Sequence, residues 1–168
     1  MRKMSAVILA AGMGTRMKSD LPKVLHPIGH QPMISYVLTA TQKAGMEQIC
    51  IVVGHGAEAV KAALGDSYLY ALQQPQLGTG HALQQALPAF ASPPESLMVL
   101  CGDTPLLTAS TLERLRQFFT QSAAACTVMS ALLSEGGAYG RLIRDERGEL
   151  AAIVEARDAS PEQLAIGE

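Results

Sequence analysis

At 168 residues the chain has room for one domain with a real core and too few residues for two comfortable ones. It is 48% hydrophobic and 17% charged, which excludes a disordered chain, and a net charge of −2 without a basic stripe gives a nucleic-acid partner no electrostatic footprint. Gly, charged or polar residues interrupt every apolar stretch within about ten positions, too short to span a bilayer, so no membrane partner is expected.

The start, Met1-Arg2-Lys3-Met4-Ser5 and then Ala6 to Ala11, superficially resembles a secretory leader. The apolar run is short, however, and passes into Gly12-Met13-Gly14-Thr15-Arg16 instead of a cleavage site. Ser5 to Ala10 therefore reads as a buried first strand, followed by a glycine-rich loop and a polar stretch through Pro22 and Lys23. Met33 to Ala44 carries Met33, Ile34, Val37 and Leu38 at helical spacing and stops at Gly45. Gln48 to Val53 is a second strand, Ala57 to Leu64 a helix ending at Gly65, and Tyr68 to Gln73 a third strand. His81 to Leu87 is a helix stopped by Pro88, and Ser96 to Cys101 a fourth strand. Ser110 to Thr120 is a helix with Thr108 or Ser110 as its cap. Ala125 to Leu132 is expected as a fifth strand, and Arg141 to Arg144 with Leu150 to Glu155 as a hairpin about Arg147-Gly148.

Strands that are apolar throughout, separated by helices, imply an α/β fold: a mostly parallel sheet with helices on both faces, plus one antiparallel element. No internal repeat is visible, and Pro93-Pro94 reads as a loop. Cys50, Cys101 and Cys126 are odd in number and each sits in an apolar run. That pattern predicts buried, reduced thiols of a cytoplasmic protein, not a disulfide frame or a zinc site.

Ligands of such sheets bind at the carboxyl ends of the strands, which points to four loops. In the first, Gly12 and Gly14 follow a strand and offer tight turning and free amides for phosphate, with the cations Arg16 and Lys23 close behind. The spacing excludes a Walker A loop and a dinucleotide fingerprint, since the lysine of the one is missing and Met17 stands where the other needs a third glycine. Taken alone, the same residues also fit a turn with two solvated cations. In the second loop, Gln73 at a strand end could read a base edge, and Gly78-Thr79-Gly80-His81 offers amides and a hydroxyl, although an ordinary helix start fits as well; His81 reads as structural. In the third, Asp103 of Gly102-Asp103-Thr104-Pro105 follows a buried strand and suits magnesium, or it caps a turn. In the fourth, Gly140 and Glu155 could hold a sugar, each a weak signal alone.

Together, Leu9-Ala10-Ala11-Gly12-Met13-Gly14-Thr15-Arg16-Met17 and Leu21-Pro22-Lys23-Val24-Leu25-His26 resemble the signature of sugar-phosphate nucleotidyltransferases. With Gln76-Leu77-Gly78-Thr79-Gly80-His81-Ala82 the sequence is similar to the bacterial bifunctional N-acetylglucosamine-1-phosphate uridyltransferase and glucosamine-1-phosphate acetyltransferase family, from Met4 to Glu168 without a large gap. The resemblance implies a Rossmann-like fold of the nucleotide-diphospho-sugar transferase type that binds UTP and Mg2+. It implies backbone contacts to uridine from Leu9, Ala10, Ala11 and Gly12, continuing through Gly14 and Thr15, and triphosphate contacts from Arg16 and Lys23. Gln73, Gly78 and Thr79 would read uracil; Cys101 and Gly102 would line the site beside Asp103, the metal ligand; Gly140 and Glu155 would hold N-acetylglucosamine.

The implied reaction transfers UMP from UTP to N-acetylglucosamine-1-phosphate, giving UDP-N-acetylglucosamine and pyrophosphate for peptidoglycan and lipopolysaccharide precursors. The attacking phosphate is already an anion, so no acid/base residue is assigned. Family members continue past position 168 with an Asn-Thr-Gly segment, a later metal ligand and a trimer-forming left-handed β-helix that transfers acetyl groups. The expectation is a part of such a protein, lacking the C-terminal part of the domain, unable to acetylate, and monomeric. Competing readings are a nucleotidyltransferase for another sugar-1-phosphate and a non-catalytic nucleotide-binding fragment, with a nicotinamide oxidoreductase a distant third because its glycine spacing is wrong.

Overall fold

The computed structural model describes residues 3–14 and 17–168, and the chain forms two compact units, Met1–Ala124 and Ala125–Glu168. In the first unit four strands form a wholly parallel sheet: β1 (Ser5–Leu9), β4 (Ile49–Val53), β5 (Leu69–Leu72) and β6 (Leu97–Cys101). Their spatial order is β5-β4-β1-β6, with Ala6 opposite Ile49 on one side and Met98 on the other. The two central strands are the ones buried at nearly every position; all five residues of β4 are buried. Alternate side chains point to opposite faces. Ala6, Ile8, Ile49, Ile51 and Val53 pack with Ile34 and Val37 of α1 (Met33–Lys43), Val60 of α2 (Ala57–Leu64) and Leu112 of α4 (Ala109–Gln121). On the other face Val7, Cys50, Val52 and Ala71 pack with Ala82 and Ala86 of α3 (Thr79–Ala86) and with Phe90.

The local starts and stops follow the sequence. Gly45 ends α1, and Thr108 caps α4, its hydroxyl accepting from the Thr111 amide at 3.2 Å. Helix α3 begins two residues before the expected His81, and Leu87 passes into a 3-10 turn, Leu87–Ala89, in which Pro88 lacks the amide to continue the helix. Between β1 and α1, a 3-10 turn, Lys23–Leu25, buries Val24 and Leu25 and leads into a two-residue hairpin of β2 (Pro27–Ile28) and β3 (Gln31–Pro32), an element the sequence did not announce.

The second unit is built on the antiparallel hairpin of β7 (Arg141–Arg144) and β8 (Leu150–Val154), closed by Asp145, whose carboxylate accepts from the amides of Arg147 and Glu149 at 2.9 Å each. A 3-10 turn, Ala156–Asp158, and the short α5 (Pro161–Leu164), capped reciprocally by Ser160 and Gln163, complete it. The fifth strand expected at Ala125 to Leu132 does not form: the segment is without a ladder, and Val128, Met129 and Leu132 are exposed. Strand propensity favours an extended backbone, but a strand also needs a partner edge. Among the described residues of this unit the only ladder is β7 with β8. The cysteine expectation holds for Cys50 alone, since Cys101 and Cys126 are exposed. Among the described residues, no helix is long and apolar enough to cross a membrane.

Ile51, fully buried at the centre of β4, is expected to cost about 2–5 kcal/mol when cut to Ala. Leu106→Ala, at a position 92% exposed, is expected to stay within about 0.5 kcal/mol. Urea unfolding of the two variants checks both values.

Candidate nucleotide-binding site

In chain order the strands of the sheet run third, second, first, fourth, so the winding direction reverses between β1 and β6. Loops leaving the carboxyl ends of those two strands diverge and open a crevice. A cavity of about 380 Å³ lies there, lined by Leu9, Ala10, Ala11, Gly12, Lys23, Val24, Gln73, Gln76, Gly78, Thr79, Ala82, Cys101 and Asp103. A second hollow of about 320 Å³ lies at the amino ends of β4 and β5, lined by Glu47, which is ion-paired with Lys3 at 2.9 Å, and by Asp66.

Ten residues singled out from the sequence thus meet at one cavity: Leu9, Ala10, Ala11, Gly12, Lys23, Gln73, Gly78, Thr79, Cys101 and Asp103. Gly102 lies beneath it; its amide donates to the Leu9 carbonyl at 2.9 Å, and a side chain there would press on Val24 and on that carbonyl. Gly14 stands behind Lys23 with φ +61°, and a Cβ at Gly14 would come within 2.7 Å of the Lys23 Cβ, so the glycine lets the lysine stem pass. Thr15 and Arg16 lie outside the described residues.

Lys23 Nζ donates to Asp103 Oδ2 at 2.5 Å, joining two residues 80 positions apart. Each side chain is about one-third exposed, 32% and 35%, so water screens the pair and it adds little to stability. Its consequence is local: a cation and a carboxylate stand together at the mouth of the crevice. The Cys101 thiol, beside them, is pushed above its usual range by burial, then by the Asp103 charge, with Lys23 opposing. Although exposed, it is therefore a weaker nucleophile than an ordinary thiol near neutral pH.

The opposite wall is built on Gln73, 5% exposed, whose Nε2 donates to the Gly78 carbonyl at 2.9 Å and lies 3.2 Å from His81 Nδ1. Gly78 caps α3 with no side-chain bond, leaving the first-turn amides of that helix to other partners. Sequence reasoning missed Gln76. Its Nε2 donates to the Ala11 carbonyl at 2.5 Å and so ties the loop after β5 to the loop after β1. A Cβ at Gly54 would stand 2.7 Å from that nitrogen and 2.8 Å from that oxygen, so the tie needs glycine there. The only signal was the place of Gln76, two residues ahead of the Gly78-Thr79 pair.

Gly140 and Glu155 belong to the second unit. Arg141 pairs with Val154, which sets Gly140 and Glu155 side by side at the open end of the hairpin. The Arg141 guanidinium, 3% exposed, donates to the carbonyls of Gly136, Gly137, Tyr139 and Leu164 and holds the chain before Gly140 in place. Glu155 itself follows the strand instead of ending it, as the residue before the 3-10 turn.

Residues 6–162 match the family model described as the MobA-like NTP transferase domain. The chain is 52% identical over 168 residues to the bifunctional protein GlmU of Heliobacterium modesticaldum, and 50% identical over 163 residues to that of Exiguobacterium sibiricum. The matches cover 100% and 97% of this chain but 37% and 36% of those proteins, so the chain spans little more than a third of their length. Among solved structures, a Bacillus anthracis protein in complex with a sucrose superposes with a TM-score of 0.81 at 21% identity, over 98% of this chain and 67% of its own. HddC of Yersinia pseudotuberculosis, complexed with GMP-PN, gives 0.71 at 22% identity over 90% and 68%. Rv0371c of Mycobacterium tuberculosis gives 0.62 at 26% identity over 70% and 61%, and was also solved with manganese. The parallel sheet, the crevice at its switch point and the family match over residues 6–162 agree: the chain belongs to the MobA-like NTP transferase domain family and is a nucleotidyltransferase domain.

Proposed function

We propose that the chain is the uridyltransferase part of a bifunctional cell-wall enzyme, transferring UMP from UTP to N-acetylglucosamine-1-phosphate and releasing pyrophosphate. The observation that carries this reading is one cavity holding both an amide wall suited to a base, at Gln73, Gly78 and Thr79, and a charged mouth suited to phosphate, at Lys23 and Asp103. The likeness to the bifunctional GlmU proteins, 52% identical over the whole chain, supports the choice of uridine and of N-acetylglucosamine. Leu9 to Gly12 contact the nucleoside through backbone, and Lys23, together with Arg16, binds the triphosphate. Gly140 and Glu155 bind the sugar. The product UDP-N-acetylglucosamine serves peptidoglycan and lipopolysaccharide synthesis in the cytoplasm.

Mg2+ is the proposed cofactor, with Asp103 as its ligand. Among the described residues no group of three or more His, Cys, Asp and Glu side chains gathers in one place. A lone carboxylate fits an ion that takes its remaining oxygens from substrate phosphates and water. Bound there, the ion would offset charge on the transferring phosphoryl group. The chain's own contribution is alignment and charge: the Lys23 ammonium neutralises phosphate oxygens, and the amide wall holds the base so that the α-phosphorus faces the incoming sugar phosphate. That nucleophile is an anion already, and the neutral Cys101 thiol offers no competing base.

Calorimetric titration is expected to show UTP preferred over ATP and GTP, more tightly with magnesium; equal affinities would refute the uridine assignment. Lys23→Ala is expected to lower turnover of UTP with N-acetylglucosamine-1-phosphate by about 10²–10³-fold, the scale for losing one transition-state contact. Steady-state kinetics beside a folding control read this. Iodoacetamide is expected to modify Cys101 more slowly than free cysteine near neutral pH, because a raised thiol pKa lowers the thiolate fraction, and more slowly still with UTP present. Peptide mass mapping follows the site.

A further inference from the structure

The hydrogen bonds behind Gln73 fix which end of its amide faces the cavity. Gln73 Nε2 lies 2.9 Å from the Gly78 carbonyl oxygen and 3.2 Å from His81 Nδ1, while the Gln85 side-chain nitrogen, Nε2, is placed 3.3 Å from His81 Nε2. A carbonyl oxygen only accepts, so the Gln73 atom facing Gly78 must be the NH2 group. Its second proton then points at His81 Nδ1, which must accept. An imidazole that accepts at Nδ1 carries its proton on Nε2, and that proton needs an acceptor. As placed, the Gln85 NH2 group would set donor against donor there, so the hydrogen-bond pattern requires the Gln85 amide to be flipped, with Oε1 toward the ring. A ring protonated on both nitrogens would set two donors face to face at Gln73 and break the arrangement. With both amide protons spent, Gln73 Oε1 takes no partner among the described residues and belongs to a side chain that lines the cavity.

We propose that His81 is a positioning residue: held by Gln85 as the Nε2–H tautomer, it locks the Gln73 amide with its oxygen toward the base, so that the pocket selects a ring that donates at N3, such as uracil, over cytosine, which presents a bare N3 acceptor. This rests on the reading of Gln73 as the base-recognising residue. An amide free to rotate satisfies either base, because its two ends have opposite hydrogen-bonding character; a locked amide rejects the wrong one by placing acceptor against acceptor. Discrimination of this kind is strong because a buried polar group is left unpaired in the mismatched complex. The same logic explains why a histidine stands on the first turn of α3, one turn ahead of a glutamine four residues on.

The test compares UTP and CTP dissociation constants, with magnesium, for the 168-residue chain and for His81→Leu, His81→Asn and Gln85→Leu. Wild type is expected to prefer UTP. His81→Leu is expected to narrow that preference by about tenfold, the scale of one hydrogen bond's discrimination, chiefly by tightening CTP relative to UTP. His81→Asn, whose Oδ1 stands in for Nδ1, restores the preference, and Gln85→Leu weakens it. A His81→Leu variant that keeps the wild-type ratio while folded overturns the proposal and leaves the uridine reading intact. A wild type with no preference between the two nucleotides overturns both. The ring itself gives a readout that needs no variant: nitrogen-15 spectra of the wild type should show the Nε2–H tautomer at His81, and the Nδ1–H tautomer would overturn the lock.

Discussion

Strand β1 is hydrogen-bonded along both edges, to β4 and to β6, and all three run in the same direction. That single constraint organises the first unit. Parallel strands place their carboxyl ends along one edge of the sheet, so the loops after β1, β5 and β6 emerge side by side although they are far apart in sequence. The register carries over into the loops: the Ala10 amide donates to Val52 at 2.9 Å, and the Gly102 amide to Leu9 at 2.9 Å. The backbone that lines the cavity therefore continues the ladder. Two cross-ties join the loops themselves: Gln76, from the loop after β5 to Ala11, and Lys23, from the connection after β1 to Asp103.

The parts of this arrangement legible in the sequence are those set by short-range rules. Apolar runs such as Ile49 to Val53 are buried on both faces and so betray a central parallel strand; Gly45 and Thr108 mark helix ends by conformational and capping preferences that need no tertiary context. The four loops followed from strand ends, and three of them converge on the cavity or its wall. What stayed hidden depends on partners distant in the chain. The strand propensity of Ala125 to Leu132 is genuine, but nothing local states whether an edge is available to pair with. Cys101 reads as buried because its neighbours are apolar; its exposure comes from standing at the end of an edge strand, where alternate side chains look into the crevice. Gln76 and His81 are ordinary polar residues in sequence, and their significance lies in what they touch, Ala11 and Gln73.

The charged mouth and the amide wall differ in how tightly they are held, and the difference suits their proposed tasks. Base recognition needs a fixed pattern of donors and acceptors, and Gln73 is almost wholly buried with both amide protons directed by neighbours. Phosphate binding needs charge that follows a moving group, and Lys23 and Asp103 are partly exposed and bonded to each other.

Lys23 and Asp103 satisfy one another, so neither charge is left uncompensated at the crevice. Because the pair is screened by water, separating it costs little, and an arriving nucleotide triphosphate offers Lys23 a stronger partner than a single carboxylate: several oxygens with a larger total charge. If Lys23 turned to phosphate, the Asp103 carboxylate would be left beside the same phosphates, where its negative charge is unfavourable unless a cation accompanies them. On the proposed reading, the two residues would link the lysine's move to a demand for a divalent ion. One carboxylate would then suffice to hold a divalent ion, because the nucleotide phosphates would supply most of the oxygens such an ion requires.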